Sequence, residues 1–274
     1  MNLKNGDCIK LMKEMPDKSV DLLICDFPFL ETACKWENEI PLKEFWDEFR
    51  RIRKHKRVAC IHFCSAKFGY KLIQSWEEGF KMDLIMKTRN KTGGLASKHR
   101  PMRNHQLIYF FYDQSPKYNR DKYHKRINNA KFGKSDCVNE VKENEVVNYK
   151  VKANFEPVQP ASVFMKCEEY GTGEHYGYAK GQPAGAKWEP VLPVSLFECK
   201  EGFGRRRHHQ TEKSQEILTF LLKYWSDEGD TILDPTMGSG STGVACKKLK
   251  RNFVGFELDE KIFNTAKERI NNSD

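Results

Sequence analysis

The sequence predicts an α/β fold in which helices cover both faces of a largely parallel, doubly wound sheet. Two observations support this prediction. Short apolar runs alternate with segments of helical periodicity, first over about the first hundred residues and again near the C-terminus, which is the pattern of parallel strands joined by crossover helices. One apolar run near the C-terminus also leads into a glycine-rich turn and then a helix, as in doubly wound folds that bind nucleotides.

The individual elements follow from periodicity. Residues 20–25 (VDLLIC) form an apolar run that Pro28 closes, as expected of a buried parallel strand. In residues 41–53 the side chains of one helical stripe are apolar, namely Leu42, Phe45, Trp46 and Phe49. Further strands are predicted at 58–63, 81–86, 106–112, 230–233 and 253–256, and further helices at 68–76, 211–224, 243–249 and 259–270.

The composition changes between about residues 113 and 200, where Lys, Asn, Gly, Tyr and Pro are frequent and periodicity is weak. A structureless insert of this length is unusual in a compact domain, and aromatic residues recur through it, which a solvating linker would not need. We therefore interpret the segment as an ordered, loop-rich module that contacts a ligand. The predicted organisation is residues 1–113, an insert at 114–200, and residues 201–274.

The charge balance indicates a polyanionic partner. Lys and Arg outnumber Asp and Glu by 47 to 38, for a net charge of +9 and a pI near 9.0. The excess is concentrated at 50–57, 98–103 and 205–209. Any one such cluster could be a solvated helix end or loop, but three together favour nucleic acid. No run approaches the roughly 20 apolar residues that span a bilayer, and the N-terminal residues lack a secretory signal pattern, so we expect no membrane partner and a cytoplasmic location.

The nine cysteines are scattered, without a C-x-x-C pair. The nearest approach to a metal pattern is Cys60-x-His62-x-Cys64, whose side chains would share one face of a strand. A zinc site would still need a fourth ligand. We therefore expect no metal, and interpret the cysteines as reduced thiols that pack as small hydrophobic residues.

The glycine-rich turn is the first motif with chemical content. Gly238, Gly240 and Gly243 give the G-x-G-x-x-G spacing that lets a ligand approach the backbone and a helix N-terminus. Glu257 ends the next strand, where a carboxylate can accept hydrogen bonds from ribose hydroxyls. Asp234 opens the turn, and its negative charge would repel a pyrophosphate but suit a ligand with an ammonium group. These features favour S-adenosylmethionine over a dinucleotide such as NAD.

The second motif is Asp26-Phe27-Pro28-Phe29, at the end of the first long predicted strand. A base amino group is a poor nucleophile because its lone pair is delocalised into the ring. Acceptors that hold both N–H bonds can aim that lone pair at a methyl donor, and Asp26 and the Phe27 carbonyl could supply them. Pro28 stiffens the turn, and Phe29 offers a face on which an extruded base can stack. By itself such a motif is more often a strand-terminating turn, but ligands of doubly wound sheets bind at the carboxyl ends of adjacent strands, where both motifs are predicted to lie.

Several segments around these motifs also match a known family. They are Asn5-Gly6-Asp7-Cys8, residues 15–21 (MPDKSVD), 35–42 (KWENEIPL), 100–105 (RPMRNH) and 209–214 (HQTEKS). With the two motifs, they make the chain resemble the amino-directed DNA methyltransferases with an Asp-Pro-Pro-Tyr type motif. The similarity is to the β order, a circular permutation in which the catalytic motif precedes the cofactor motif, and to a phage-like adenine-specific subgroup.

The resemblance implies a Rossmann-like methyltransferase sheet, S-adenosylmethionine as cofactor, and adenine N6 in double-stranded DNA as the target, with the insert reading the recognition sequence. Phe27, Phe29, Gln210 and Ser214 depart from the family pattern, and the change at Phe27 is expected to loosen the turn. Cytosine-N4 or RNA methylation, a weakened nucleic-acid-binding relative and a nicotinamide-dependent oxidoreductase stay open as alternatives. A homodimer, a cognate restriction enzyme, and a bacterial or phage-infected cell as the setting are also left open.

The residues assigned to the site are the following. The catalytic residues are Asp26, Phe27, Pro28 and Phe29. The cofactor-binding residues are Asp7, Cys8, Asp26, Thr211, Lys213, Asp234, Pro235, Thr236, Gly238, Ser239, Gly240, Thr242, Glu257 and Leu258. The residues that contact nucleic acid are Lys87, Lys98, Arg100, Arg103, Arg205, Arg206 and Arg207.

Overall fold

A computed structural model describes residues 1–28, 40–92, 98–99, 101–123, 125–126, 188–189, 196–198 and 213–273. Its strands are β1 (Asn2–Asn5), β2 (Leu22–Cys25), β3 (Cys60–Cys64), β4 (Phe80–Thr92), β5 (Arg103–Phe111), β6 (Lys125–Arg126), β7 (Trp188–Glu189), β8 (Leu196–Glu198), β9 (Thr231–Asp234) and β10 (Asn252–Glu257). Its α-helices are α1 (Cys8–Lys13), α2 (Leu42–Ile52), α3 (Ala66–Ser75), α4 (Arg120–Tyr123), α5 (Gln215–Trp225), α6 (Ser241–Lys248) and α7 (Glu260–Asn272), with a 3₁₀ turn at Glu77–Gly79.

Eight strands form one sheet in the order β1-β10-β9-β2-β3-β5-β4-β8. The first five are parallel to one another, β5 runs antiparallel to β3, and β8 runs parallel to β4. All four residues of β2 and all five of β3 are buried, which explains their continuous apolar runs, since a central parallel strand is covered on both faces. The predicted doubly wound, largely parallel α/β sheet is confirmed.

Local signals fix the ends of the helices. The hydroxyl of Ser65 accepts a hydrogen bond from the Phe68 N–H at 3.1 Å and begins α3, and the carboxylate of Asp259 caps α7 in the same way. These side chains satisfy N–H groups that the helix itself leaves without partners. The apolar stripe predicted for α2 is buried against the sheet through Phe45, Trp46 and Phe49.

The strand order reverses between β9 and β2, and this reversal positions the site. From β9 the chain passes through α6 to β10 on one side, whereas from β2 it passes through α2 to β3 on the other. The crossovers therefore diverge at the carboxyl ends of β9 and β2 and leave a crevice there, which is where doubly wound sheets bind ligands.

Among the described residues, six helices and strands were not predicted: β1, α1, α4, β6, β7 and β8. β1 has the polar sequence NLKN and is a strand because it pairs with β10 at the edge of the sheet. α1 follows it directly and begins at an Asp7 cap. β8 has only three residues, and β4 continues to Thr92 through polar residues that carry no apolar pattern. β1, β8 and the extension of β4 depend on tertiary pairing rather than on local propensity, whereas the cap of α1 is a local signal.

The chain divides into two compact units. One contains Met1–Lys91, Asn104–Arg120 and Pro193–Asp274 and carries the eight-stranded sheet. The other contains Thr92–Arg103 and Asp121–Leu192, in which β6 pairs with β7 in antiparallel register, Lys125 opposite Glu189 and Arg126 opposite Trp188. The insert boundaries drawn from the composition stay a prediction. Within the described ranges no helix is long and apolar enough to cross a membrane.

The basic cluster at 50–57 is largely part of the scaffold. It lies between the end of α2 and the amino end of β3, at the edge of the sheet opposite the crevice. The solvated-helix-end interpretation therefore suits this cluster better than a role in ligand binding. Its ion pairs join Arg51 to Asp17 and Glu48 at 2.6 and 2.7 Å, Lys54 to Asp21 at 2.6 Å, and Arg53 to Asp113.

Candidate active site

The glycine-rich turn connects β9 to α6, and its glycines serve different purposes. Gly238 and Gly240 have φ of +51° and +76°, in the left-handed region that favours glycine. A Cβ at Gly240 or Gly243 would lie 2.9 or 2.5 Å from Ile270 Cδ1, so these two glycines let α7 pack closely. A Cβ at Gly238 would meet nothing within 4 Å. Of these three glycines, Gly238 is therefore the one whose backbone faces open space that a ligand can enter.

Asp234 ends β9 and is buried, with 4% of its surface exposed. Its carboxylate accepts hydrogen bonds from Thr242 Oγ1 at 2.7 Å and from the Thr236 N–H at 3.2 Å. Burial raises the pKa of Asp234 to about 7, against the lowering effect of these two hydrogen bonds. Because both of these donors are neutral, the buried carboxylate suits a ligand with an ammonium group.

Glu257 ends β10 and is oriented by the backbone. Its Oε2 accepts from the Gly238 N–H at 3.0 Å and its Oε1 from the Asp259 N–H at 2.9 Å. Burial is the largest cause of a raised pKa at this carboxyl, and the backbone hydrogen bonds oppose it. Each oxygen retains a lone pair that can accept from a hydroxyl, and the neighbouring Leu258 exposes 53% of its surface. A polar acceptor and an apolar side chain thus lie side by side.

β1 brings the N-terminal motif to the same corner. Asn5 pairs with Glu257 in the parallel register, and the Gly6 N–H donates to the Glu257 carbonyl at 2.9 Å. Asp7 and Cys8 therefore follow directly beside the end of β10. The Asp7 side chain accepts from the Lys10 N–H at 2.9 Å and caps α1, while burial raises the pKa of the Cys8 thiol to about 12.

Asp26 follows β2 and faces the glycine turn across the crevice. Asp26 and the glycine turn line the same cleft. Lys213, just before α5, forms a salt bridge from its Nζ to Asp26 Oδ2 and lies 5.2 Å from the centroid of the Phe63 ring. The cleft is lined by Ile24, Cys25, Asp26, Phe63, Lys213, Asp234, Thr236, Met237, Gly238, Ser239, Ser241 and Thr242.

The Phe27 side chain points away from this cleft. It is only 2% exposed and belongs to the hydrophobic core. Its ring meets Phe45 of α2 at 4.8 Å and His62 of β3 at 4.4 Å between centroids, both edge-on. The sequence interpretation treated Phe27 as a residue that loosens the turn, whereas the structure holds it by its ring in the core.

The structure brings together most of the predicted site. Asp26, Lys213, Asp234, Thr236, Gly238, Ser239 and Thr242 line one cleft, with Pro235 and Gly240 in the same turn and Asp7, Cys8, Glu257 and Leu258 at the adjoining corner. Lys87 lies in β4 opposite Glu198, and Lys98 and Arg103 are exposed; none of the three lines the cleft. Phe29, Arg100, Arg205, Arg206, Arg207 and Thr211 lie outside the described residues.

Five more residues line the cleft that were not assigned from the sequence: Ile24, Cys25, Phe63, Met237 and Ser241. Met237 and Ser241 lie inside the glycine turn and could have been included by position. Phe63 could have been found only from the pairing of β3 with β2, because it lies near the carboxyl end of the neighbouring strand.

The Cys60-x-His62-x-Cys64 pattern lies in the core. Burial lowers the pKa of His62 to about 4 and raises the pKa of the Cys64 thiol above its usual range. Cys60 Sγ contacts Cys25 Sγ at 3.8 Å. Among the described residues, no group of three or more His, Cys, Asp or Glu side chains is arranged to hold a metal ion.

Comparison with known proteins identifies the class. Residues 31–268 match the N6/N4 DNA methylase family, and the chain therefore belongs to that family, as the sequence motifs indicated. This is a family of S-adenosylmethionine-dependent methyltransferases, and the residues around Asp234, Gly238 and Glu257 offer donors and acceptors that fit that cofactor.

Particular relatives match over short segments. The chain is 41% identical over 61 residues to the type II methyltransferase M2.LlaDCHI of Lactococcus lactis subsp. cremoris, covering 22% of this chain and 23% of the relative. It is 53% identical over 45 residues to the type II methyltransferase M.SmaI of Serratia marcescens, covering 16% of this chain and 15% of the relative. These alignments thus span less than a quarter of each relative's length.

Solved structures match over almost the whole chain. A complex of M1.HpyAVI with S-adenosylmethionine superposes with a TM-score of 0.55 at 19% identity, covering 98% of both chains. The cytosine-N4-specific PvuII DNA methyltransferase superposes with a TM-score of 0.58 at 13% identity, covering 99% of this chain and 93% of that one. At such identities the likeness concerns the fold, and it agrees with the predicted methyltransferase sheet.

Proposed function

We propose that this protein transfers a methyl group from S-adenosylmethionine to the N6 amino group of a flipped adenine in double-stranded DNA. The observation that carries the proposal is the shared cleft of Asp26 and Asp234. The two carboxylates end adjacent parallel strands at the reversal of strand order. One is suited to a cationic cofactor and the other to the amino group of a base, so both reactants can be bound within one cleft.

The cofactor half of the cleft is built from three features. The buried carboxylate of Asp234 would bind the ammonium of the methionine moiety. Gly238 lets the ligand approach the backbone, and Glu257 would accept hydrogen bonds from the ribose hydroxyls. When bound, S-adenosylmethionine supplies an electrophilic methyl group. Asp7, Cys8 and Leu258 lie where they would flank the adenine of the cofactor.

The catalytic half orients the target amino group. Asp26 would accept one N–H of the amino group and the carbonyl of Phe27 the other, which aims the nitrogen lone pair at the methyl donor. Phe29 would stack on the base after it leaves the helix, because a base inside the duplex cannot reach the cleft. Asp26 acts here by orientation and charge, and transfer would be direct, without a covalent bond between protein and base. The S–C bond of the cofactor would break as the N–C bond forms, a neutral thioether would leave, and the surplus proton on the methylated nitrogen would pass to solvent.

Lys213 links the two halves. Its ammonium lies on Oδ2 of Asp26 and near the ring of Phe63, and its side chain is 14% exposed. It precedes α5, which contacts the helix that follows the glycine turn. We assign Lys213 the tasks of holding the carboxylate of Asp26 in place and helping to close the site around the methionine end of the cofactor.

The residues that would contact DNA are proposed from their positive charge. The chain carries a net charge of +9, and Lys98 and Arg103 are exposed. These two residues, with Lys87, Arg100 and Arg205 to Arg207, would neutralise phosphates. The insert at 114–200 would read the recognition sequence. A dimer and a partner restriction enzyme have no specific observation in their favour.

One experiment tests the assignment of base and nucleic acid together. The protein is incubated with methyl-labelled S-adenosylmethionine and either unmethylated DNA or RNA, and the product is digested to nucleosides and identified by mass spectrometry. We expect N6-methyladenine in DNA. N4-methylcytosine, or label in RNA alone, would overturn the proposed target, and cofactor binding without transfer to any nucleic acid would identify a non-catalytic relative.

Cytosine N4 is the second candidate. The observation that keeps it in view is the family itself, which includes both N6 and N4 methylases. Both bases present an exocyclic amino group conjugated with the ring, so the same acceptors could serve either. We favour adenine because Asp occupies position 26, where cytosine-directed members of the family that the motif resembles more often carry serine.

A further inference from the structure

We propose that His62 is a positioning residue for the turn that carries Asp26, and that it acts through the ring of Phe27. The inference rests on the proposed methyl transfer at Asp26. The contact between the buried rings of Phe27 and His62 would fix the conformation of this turn, in which phenylalanine stands at the second position instead of proline.

The strand register places His62 beside the turn. Cys25, the last residue of β2, pairs with His62 of β3. Side chains in an extended chain alternate, so residue 27 projects to the same face as residue 25. The ring of Phe27 accordingly meets the His62 ring at 4.4 Å and an interplanar angle of 84°, an edge-to-face contact that aromatic rings favour.

A second ring, that of Phe45, also holds Phe27 in place. Phe45 of α2 meets Phe27 at 4.8 Å and 79°, so β3 and α2 hold the ring together. Asp26 lies between two residues whose side chains are fully buried, Cys25 and Phe27. Its own side chain lines the cleft, whereas that of Phe27 belongs to the hydrophobic core. The direction of the carboxylate is therefore set by how firmly residues 25 and 27 are held.

The packing of the Phe27 ring between His62 and Phe45 replaces the restraint on φ that a proline ring would supply. Proline at position 27 would fix φ through its own ring, whereas phenylalanine has a free φ, restricted only in part by the following Pro28. Burial of the Phe27 ring between His62 and Phe45 supplies the missing restraint from outside the backbone. The carbonyl of Phe27, the second proposed acceptor, is held by the same contact.

The protonation state and hydrogen bonding of His62 are compatible with a positioning role. Burial lowers its pKa to about 4, so the ring is neutral near pH 7. Nδ1 lies 2.9 Å from the Phe63 carbonyl, and Nε2 has no hydrogen-bond partner within the described residues. The neutral imidazole therefore presents a planar ring to the edge-on contact with Phe27, which a branched aliphatic side chain such as leucine would not.

A double-mutant cycle tests the inference. Methyl transfer and cofactor binding are measured for the unaltered protein, Phe27→Leu, His62→Leu and the double variant. We expect each single change to lower kcat by between roughly tenfold and a hundredfold, with the cofactor Kd within about twofold. The double variant should be no slower than the slower single variant, because both changes remove the same ring-to-ring interaction. His62→Phe should restore most of the rate.

The control is Phe110→Leu, a change at a fully buried ring of β5 that packs on Trp225. It should lower thermal stability without lowering kcat of the folded protein. Losses that multiply in the double variant, an unchanged kcat in His62→Leu, or an equal kcat loss in Phe110→Leu would overturn the positioning role. An unaltered protein that binds cofactor but methylates no nucleic acid would instead overturn the proposed function.

Discussion

The ammonium of Lys213 is paired with the carboxylate of Asp26, although the two residues are 187 positions apart in the chain. One follows the strand β2 in the N-terminal half and the other precedes α5 in the C-terminal half. The pair closes the cleft between the region that would bind the base and the region that would bind the cofactor. Loss of either residue should therefore have different consequences for the two ligands.

Replacement of Asp26 should separate chemistry from cofactor binding. In Asp26→Ala the amino group loses its charged acceptor, and we expect kcat to fall by roughly a hundredfold or more, with cofactor affinity within a few-fold of normal. Asp26→Asn keeps the shape and one acceptor oxygen, so it should retain more activity than alanine. Labelled methyl transfer and calorimetric cofactor titration check both; an Asp26→Ala protein with normal turnover would contradict the catalytic assignment.

Two substitutions at Lys213 test whether its charge orients the carboxylate of Asp26. Lys213→Met removes the charge but keeps much of the side-chain length, and it leaves the half-buried carboxylate of Asp26 without its ion-pair partner. We expect kcat to fall by roughly tenfold, because the carboxylate loses its fixed orientation. Lys213→Arg should recover part of the rate, since it restores a cation. A rise in cofactor KM with unchanged kcat would show instead that Lys213 acts only on the cofactor.

Cofactor binding should depend on pH through Asp234, whose pKa burial raises to about 7. An ammonium ligand favours the ionised carboxylate, so binding must release a proton when the free protein carries it. Affinity should therefore fall as pH drops below about 7, approaching tenfold per pH unit, and calorimetry near pH 6 in buffers of different ionisation enthalpy should detect the released proton. Asp234→Asn should bind weakly and lose this pH dependence; a normal affinity in that variant would refute the assignment.

The same group should affect the stability of the free protein, with the sign set by its raised pKa. Protonation favours the folded state because the folded pKa of Asp234, about 7, exceeds the ordinary value of 3.8 expected when unfolded. The contribution of Asp234 to stability is therefore fully present below about pH 4 and declines as pH rises toward 7. Comparing the pH dependence of urea unfolding for Asp234→Asn and the unaltered protein isolates it; identical slopes between those limits would contradict it.

Among the described residues, two glycines have open space where a Cβ would stand, and they allow a matched comparison. Gly238 and Gly229 both have positive φ, +51° and +83°, and a Cβ at either would meet nothing within 4 Å. Alanine should therefore strain the backbone similarly at both positions. Only Gly238 lines the cleft, so Gly238→Ala should weaken cofactor binding by roughly tenfold whereas Gly229→Ala should leave it unchanged. Equal affinities after correction for folding would show that Gly238 serves the turn alone.

The parts of the fold and site that the sequence predicts are those with local signals. The buried strand before Asp26, the glycine turn and the stripe of α2 each depend on residues close in the chain, and all are confirmed. β1 could not be predicted because its four polar residues become a strand only by pairing with β10. The Lys213–Asp26 pair and the place of Phe63 depend in the same way on which strands are neighbours.

Phe27 shows a different limit of sequence reasoning. Its departure from the family motif suggests a looser turn when only the backbone is considered. The compensation comes from Phe45 and His62, which lie 18 and 35 positions further along the chain and reach Phe27 only once β2 and β3 have paired and α2 has packed. A prediction made from the motif alone therefore underestimates how firmly the side chain of Phe27 is held.

The assignment of the DNA surface can be tested by two double variants with the same change in net charge. Lys98→Glu with Arg103→Glu alters residues proposed to neutralise phosphates, and Lys56→Glu with Arg57→Glu alters exposed residues at the amino end of β3. The first should weaken DNA binding and lower the salt slope of log K by about one for each phosphate that is no longer neutralised. The second should leave the slope unchanged, since that edge of the sheet lies away from the cleft. Equal losses of affinity in fluorescence-anisotropy titrations across a salt series would show that net charge alone attracts the DNA.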